Sequence, residues 1–115
     1  MPEFKLEVMP GTRDGWCTLK LSGPFTLSGV FDFQAIARGS HPPATILDLT
    51  EVPYMDSAAL GAILGFHVSC QRQGCKYAIV GMSQRLETMV AVAGVTGVLT
   101  ICSSLDAAEE LLAAA

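Results

Sequence analysis

Polar and apolar residues alternate from Trp16 to Ser22. Trp16, Thr18 and Lys20 fall on one face, and Cys17, Leu19 and Leu21 on the other. A period of two predicts a half-buried strand. Upstream, Leu6 to Met9 is short and apolar, and Pro10-Gly11-Thr12-Arg13-Asp14-Gly15 between the two is dense in turn formers. The two segments are therefore expected to pair as a hairpin, which Gly23-Pro24 ends. From Ser28 to Arg38, Val30, Phe31, Phe33, Ile36 and Ala37 recur at mixed spacings, read here as a short helix. Gly39-Ser40-His41-Pro42-Pro43 breaks it, because proline cannot continue a helix.

The second half alternates strands with helices. Ala44-Thr45-Ile46-Leu47-Asp48-Leu49 is an apolar run with β-branched members, as expected of a strand covered on both faces. Val52-Pro53-Tyr54-Met55 reads as a loop, and Asp56 and Ser57 are both favoured helix N-caps. A helical pattern runs from Ala58 to Gln73, with Gly74 where a C′ glycine belongs. Lys76 to Val80 is the next strand. Ser83 caps a helix through Val92, Val98 to Cys102 predicts a last strand, and Ser103-Ser104 cap a terminal helix. The expected fold class is α/β: one domain over residues 1–115, a sandwich of a mixed sheet of about four or five strands with about four helices packed on it.

Within the long helix, Ala58, Ala62, Gly65 and Ser69 share a face of small residues, and Leu60, Ile63, Leu64 and Val68 cover much of the rest. The small face either allows close approach by another backbone or packs on the sheet while larger residues face partly outward; either way an apolar docking stripe is expected. Gly61 and Gly65 are expected to have a packing reason, since glycine inside a helix costs about 1 kcal/mol against alanine.

Composition narrows the function. Half of the 115 residues are apolar and 16% are charged, which excludes a disordered chain. The net charge is −4, and the 7 Lys and Arg are scattered, so no nucleic-acid partner is expected. The N-terminus has no apolar run behind a basic start, and no stretch is long enough to insert in a membrane. Cys17, Cys70, Cys75 and Cys102 lack metal or redox C-x-x-C spacing. They are expected to be free, mostly buried thiols in a reducing cytoplasm, with no metal or cofactor.

No catalytic constellation is evident. His41 and His67 are the only histidines; the first falls in the proline loop and the second at a helix boundary face. Neither shows the positioned partner that a general base needs, so no enzyme is expected. Asp48 at a strand end looks like the phosphoacceptor of receiver domains. That site needs further carboxylates after the first strand and a lysine after the last. Here Pro10-Gly11 and Cys102-Ser103-Ser104 stand in those places. Asp48 is better read as a carboxylate capping loop amides.

The stretch Leu47-Asp48-Leu49-Thr50-Glu51-Val52-Pro53-Tyr54-Met55-Asp56-Ser57-Ala58-Ala59-Leu60-Gly61 resembles the signature of the STAS family, named for sulfate transporters and anti-sigma antagonists. There a buried strand ends in an Asp-Leu-Ser-like step, and Asp-Ser-Ser-Gly-Leu-Gly opens a helix after a loop. The order of the remaining segments matches across nearly the whole chain. The resemblance implies a cytoplasmic anti-sigma factor antagonist that captures an anti-sigma factor of the serine-kinase type. It places the partner contacts at Asp48, Thr50, Met55, Asp56, Ser57, Ala58, Leu60 and Gly61. It leaves room for a homodimer, for a subunit docked on a transporter ATPase, and for a small-ligand or nucleotide module with a pocket near Asp48 and Asp56.

In the family, phosphorylating a serine at this helix start adds about −1.5 to −2 charges and expels the partner. The residue phosphorylated is the second serine, where this chain has Ala58, and the family glycine that follows is Ala59. Either binding is constitutive, or Ser57 serves as acceptor. The expected role of Ser57 is that of a plain N-cap hydroxyl.

Overall fold

The alternating segment and its upstream neighbour form the expected hairpin. In the computed structural model, which describes residues 3–39 and 42–114, β1 (Lys5–Pro10) pairs antiparallel with β2 (Cys17–Ser22). His41 lies outside the described residues. α1 (Leu27–Gly39) follows, then β3 (Ala44–Glu51), α2 (Ser57–Gln73), β4 (Lys76–Val80), α3 (Gln84–Val92) and α4 (Leu105–Ala113). The sheet order is β1-β2-β3-β4, with β2/β3 and β3/β4 parallel. It is the mixed four-stranded sheet with four helices expected from the sequence.

The unbroken apolar runs of β3 and β4 are explained by cover on both sides of the sheet. Leu47, Leu49, Tyr77 and Ile79 join the larger core beneath α1, α2 and α3, together with Leu19 and Leu21 of β2. The intervening Ala44, Ile46, Ala78 and Val80 pack against Ala108 and Leu112 of α4 on the other side. Through the larger core an aromatic row runs from Phe4 by way of Phe25, Phe33, Phe66 and Tyr77 to His67, successive ring centroids lying 4.9–5.9 Å apart. Offset and edge-on pairs at such separations stabilise by about 0.5–1.5 kcal/mol beyond their buried area.

Caps fall largely where serine and glycine predicted them. Ser83 Oγ accepts from Leu86 N (3.2 Å) and Ser104 Oγ from Ala107 N (3.1 Å). Gly74 closes α2 in the left-handed region at φ 72°, a conformation that costs L side chains about 1–2 kcal/mol.

Expectations about the last segment and about α2 are corrected. Val98 to Cys102 is not a strand: Val98 N and Leu99 N both donate to Val95 O, so the chain is turning there. It meets the sheet in a single bridge, Ile101 opposite Ile79, made by Ile79 N donating to Thr100 O and Cys102 N to Ile79 O, both 2.8 Å. The small-residue face of α2 does not pack on the sheet. Ala59, Leu60, Ala62, Ile63, Phe66 and Cys70 are buried, and of the small face Ala62, Gly65 and Ser69 line the crevice beside Phe33, Gln34 and Arg38 of α1. Nothing lies within 4 Å of a Cβ placed on Gly61 or Gly65, so neither has a packing reason within the domain. The apolar stripe left outside on α2 reduces to Val68, which is 44% exposed.

Candidate functional site

The site is built where β3 releases the chain. Asp48 Oδ1 accepts from Thr50 N (3.0 Å) and from Thr50 Oγ1 (2.6 Å), which ties together the last residues of β3. This is the amide-capping role expected of Asp48. Gly81, just beyond β4, comes so close to Thr50 that any Cβ there would overlap its Oγ1 and backbone. It also sits at φ 77°, so glycine is required twice over. Lys20 and Glu51 pair across β2 and β3 at 2.9 Å. The hydrogen bond and charge of Glu51 raise the pKa of the Lys20 ammonium, but the pair is solvent-exposed and contributes little to stability.

From there the chain crosses Val52–Tyr54 and docks on the segment before α1. Phe25 and Met55 form a parallel bridge, with Phe25 N donating to Tyr54 O (3.1 Å) and Asp56 N to Phe25 O (3.2 Å). The Arg85 guanidinium of α3 stands 5.3 Å from the Tyr54 ring centroid and steadies the loop from the far side by a cation–π contact.

Asp56 is the centre of the arrangement. Its Oδ1 accepts from Ala59 N (2.9 Å) and caps α2. Its Oδ2 accepts from Leu27 N (2.9 Å), the first residue of α1, 29 positions earlier. One carboxylate therefore satisfies amides at the starts of two helices, where the helix dipoles also favour a negative charge. Sequence reading identified the cap type but not this second bond, since no local pattern near Leu27 points to a residue so far along the chain.

The candidate residues divide by exposure. Ser57, Thr50 and Gly61 are exposed, and Asp48, Asp56 and Ala58 half-buried. Ser57 is the first helical residue rather than the cap, which corrects the N-cap role expected of it. Met55 (7% exposed) and Leu60 (6%) are core residues, so they hold the loop and helix from beneath instead of offering surface. Asp48 and Asp56 do not converge. Alternation along β3 sends Asp48 to the side of Ile46, which packs under α4, whereas Asp56 caps α1 and α2 across the sheet. A nucleotide pocket built on both carboxylates is thus not formed. Leu27 (57% exposed) and Phe31 (71%), one turn apart on α1, are apolar surface that sequence reading missed.

His67 is half-buried as expected, its Nδ1 2.8 Å from Tyr77 Oη. Among the described residues no three His, Cys, Asp or Glu side chains are grouped to hold a metal ion, and no helix is long and apolar enough to cross a membrane.

Comparison with known proteins agrees with this geometry. The chain is 34% identical over 55 residues to the anti-sigma-B factor antagonists of Listeria monocytogenes and Listeria innocua; the match covers 48% of the chain and 48% of each relative. The chain thus spans about half the length of the curated relatives it matches. Its fold superimposes on an anti-sigma factor antagonist from Mycobacterium paratuberculosis with TM-score 0.80 and 18% identity, covering 96% of this chain and 94% of that one. A sulfate transporter family protein from Wolinella succinogenes gives TM-score 0.79 at 21% identity, covering 90% and 88%. These structures establish likeness of fold. The model of the STAS domain matches residues 8–108, most of the length of the chain, and with the sheet order and the Asp56 helix start in place, this protein belongs to the STAS domain family.

Proposed function

We propose that the chain is an anti-sigma factor antagonist, its 115 residues acting as one non-catalytic cytoplasmic unit that binds a serine-kinase-like anti-sigma factor through the start of α2. The observation that carries this reading is the exposure of Ser57, with Gly61 exposed one turn on, at a helix start anchored by Asp56. The names of the Listeria relatives point the same way. Asp56 is engaged on both oxygens, so its role is to fix the helix start in position while Ser57 meets the partner. The open face at Gly61 lets a partner backbone approach α2 closely, which gives the glycine a reason that packing inside the domain does not supply. Leu27 and Phe31 extend the contact onto α1, where an exposed aromatic is suited to anchor an interface. Ala58 has no hydroxyl, so binding is constitutive and not switched by phosphate at that position.

Ser57→Glu separates binding from folding. A carboxylate in the first helical turn is neutral to favourable for the fold, by about 0.3–1 kcal/mol. The same charge in the contact is expected to weaken affinity for the anti-sigma factor at least tenfold in titration calorimetry, about 1.4 kcal/mol. Unchanged affinity with an unchanged melting curve would remove the helix start from the interface.

A further inference from the structure

The far end of α2 carries a pair of thiols that the proposed partner contact does not use. Cys70 lies in the last helical turns and is 4% exposed; Cys75 follows the left-handed Gly74 and is half-buried. The turn between them is closed by Cys75 N donating to Cys70 O at 3.1 Å, so the two backbones are hydrogen-bonded at the very residues that carry the sulfurs. The Cys75 thiol donates to Cys70 O at 3.8 Å. Both residues line a cleft of ≈ 500 Å³, with His67, Tyr77 and Thr100 on one wall and Leu111 of α4 on the other. The remaining thiols cannot compete. Cys102 packs on the α4 side of the sheet, and Cys17 begins β2, which β3 separates from β4.

We propose that Cys70 and Cys75 form a site of reversible oxidation, a dithiol that closes to an intramolecular disulfide on reaction with a low-molecular-weight disulfide such as oxidised glutathione. Disulfides require Cα atoms about 4.4–6.8 Å apart, a range that a backbone hydrogen bond joining the two residues readily provides. The less buried Cys75 meets the reagent first. Its thiolate attacks one glutathione sulfur, the S–S bond of glutathione breaks, and one glutathione thiol leaves. Cys70, once deprotonated, then attacks the Cys75 sulfur of the mixed disulfide and releases the second glutathione. Two protein thiols lose two protons and two electrons, and the glutathione disulfide takes them up as two thiols. Burial first, and the Cys75 sulfur second, push the Cys70 thiol up to about 12. Ring closure needs the Cys70 thiolate, which burial disfavours, and therefore accelerates with rising pH.

The test uses the intact chain under native conditions with excess oxidised glutathione, followed by alkylation of free thiols and tryptic peptide mapping. Arg72 lies between the two cysteines, so trypsin separates their peptides unless a disulfide holds them. The expected result is loss of two of the four free thiols, with the Cys70 and Cys75 peptides joined and faster joining at higher pH. Cys75→Ser should give no joined peptides. Glutathione remaining on Cys75 without closure, alkylation of both thiols after treatment, or crosslinks through Cys17 or Cys102 would each overturn the proposal.

Discussion

Asp56→Ala is expected to lower stability by about 2–3 kcal/mol, read as a fall of roughly 10 °C in melting midpoint. A single N-cap is typically worth about 1 kcal/mol, and hydrogen bonds to a charged group about 1.5–3 kcal/mol. Asp56 makes two such bonds, to Ala59 N and to Leu27 N, and removing the carboxylate orphans amides at the starts of both α1 and α2. Asp56→Asn retains one acceptor oxygen and should lose about half as much. Chemical denaturation of the two variants measures this directly. A cost below about 0.5 kcal/mol for alanine would mean that water replaces the carboxylate and that the helix starts are not held in common.

The second large effect is a gain. Ala58→Ser restores the hydroxyl that the family pattern has at this position, in the second residue of α2 beside the exposed Ser57. Incubated with the proposed anti-sigma kinase and ATP, the variant is expected to take up about one phosphate and then to release the kinase, because a phosphoryl group brings about −1.5 to −2 charges into the contact. The unaltered chain should take up little label and stay bound. Intact mass and size-exclusion chromatography read both outcomes. Stoichiometric phosphate on Ser57 of the unaltered chain would end the constitutive reading.

Much of the architecture was legible because local patterns and tertiary cover agree. The runs at Ala44–Leu49 and Lys76–Val80 are apolar on consecutive residues, which only a strand covered on both sides requires, and both faces are indeed covered. Gly74, Ser83 and Ser104 carry their own chemistry into the turns and caps they make. The misreading at Val98 to Cys102 arose because apolar content alone does not separate a strand from a tight turn. Val95 O collects two amides there, and a ladder has no place for them.

Within the site, residue type was easier to read than direction. Met55 and Leu60 belong to the motif, yet being apolar next to a core they turned inward. The divergence of Asp48 from Asp56 follows from parity with Ile46 and could have been deduced from the strand alone. The bond from Asp56 to Leu27 and the approach of Gly81 to Thr50 depend on how distant segments meet, and periodicity carries no trace of either.

Amide hydrogen exchange of the chain, free and saturated with the proposed anti-sigma factor partner, reports most directly on where that partner sits. Slowed exchange should concentrate in residues 50–65 and in the first turns of α1, with α4 and the cleft at Cys75 unchanged. Protection confined to α4 and the opposite side of the sheet would contradict docking at the helix start that Asp56 anchors.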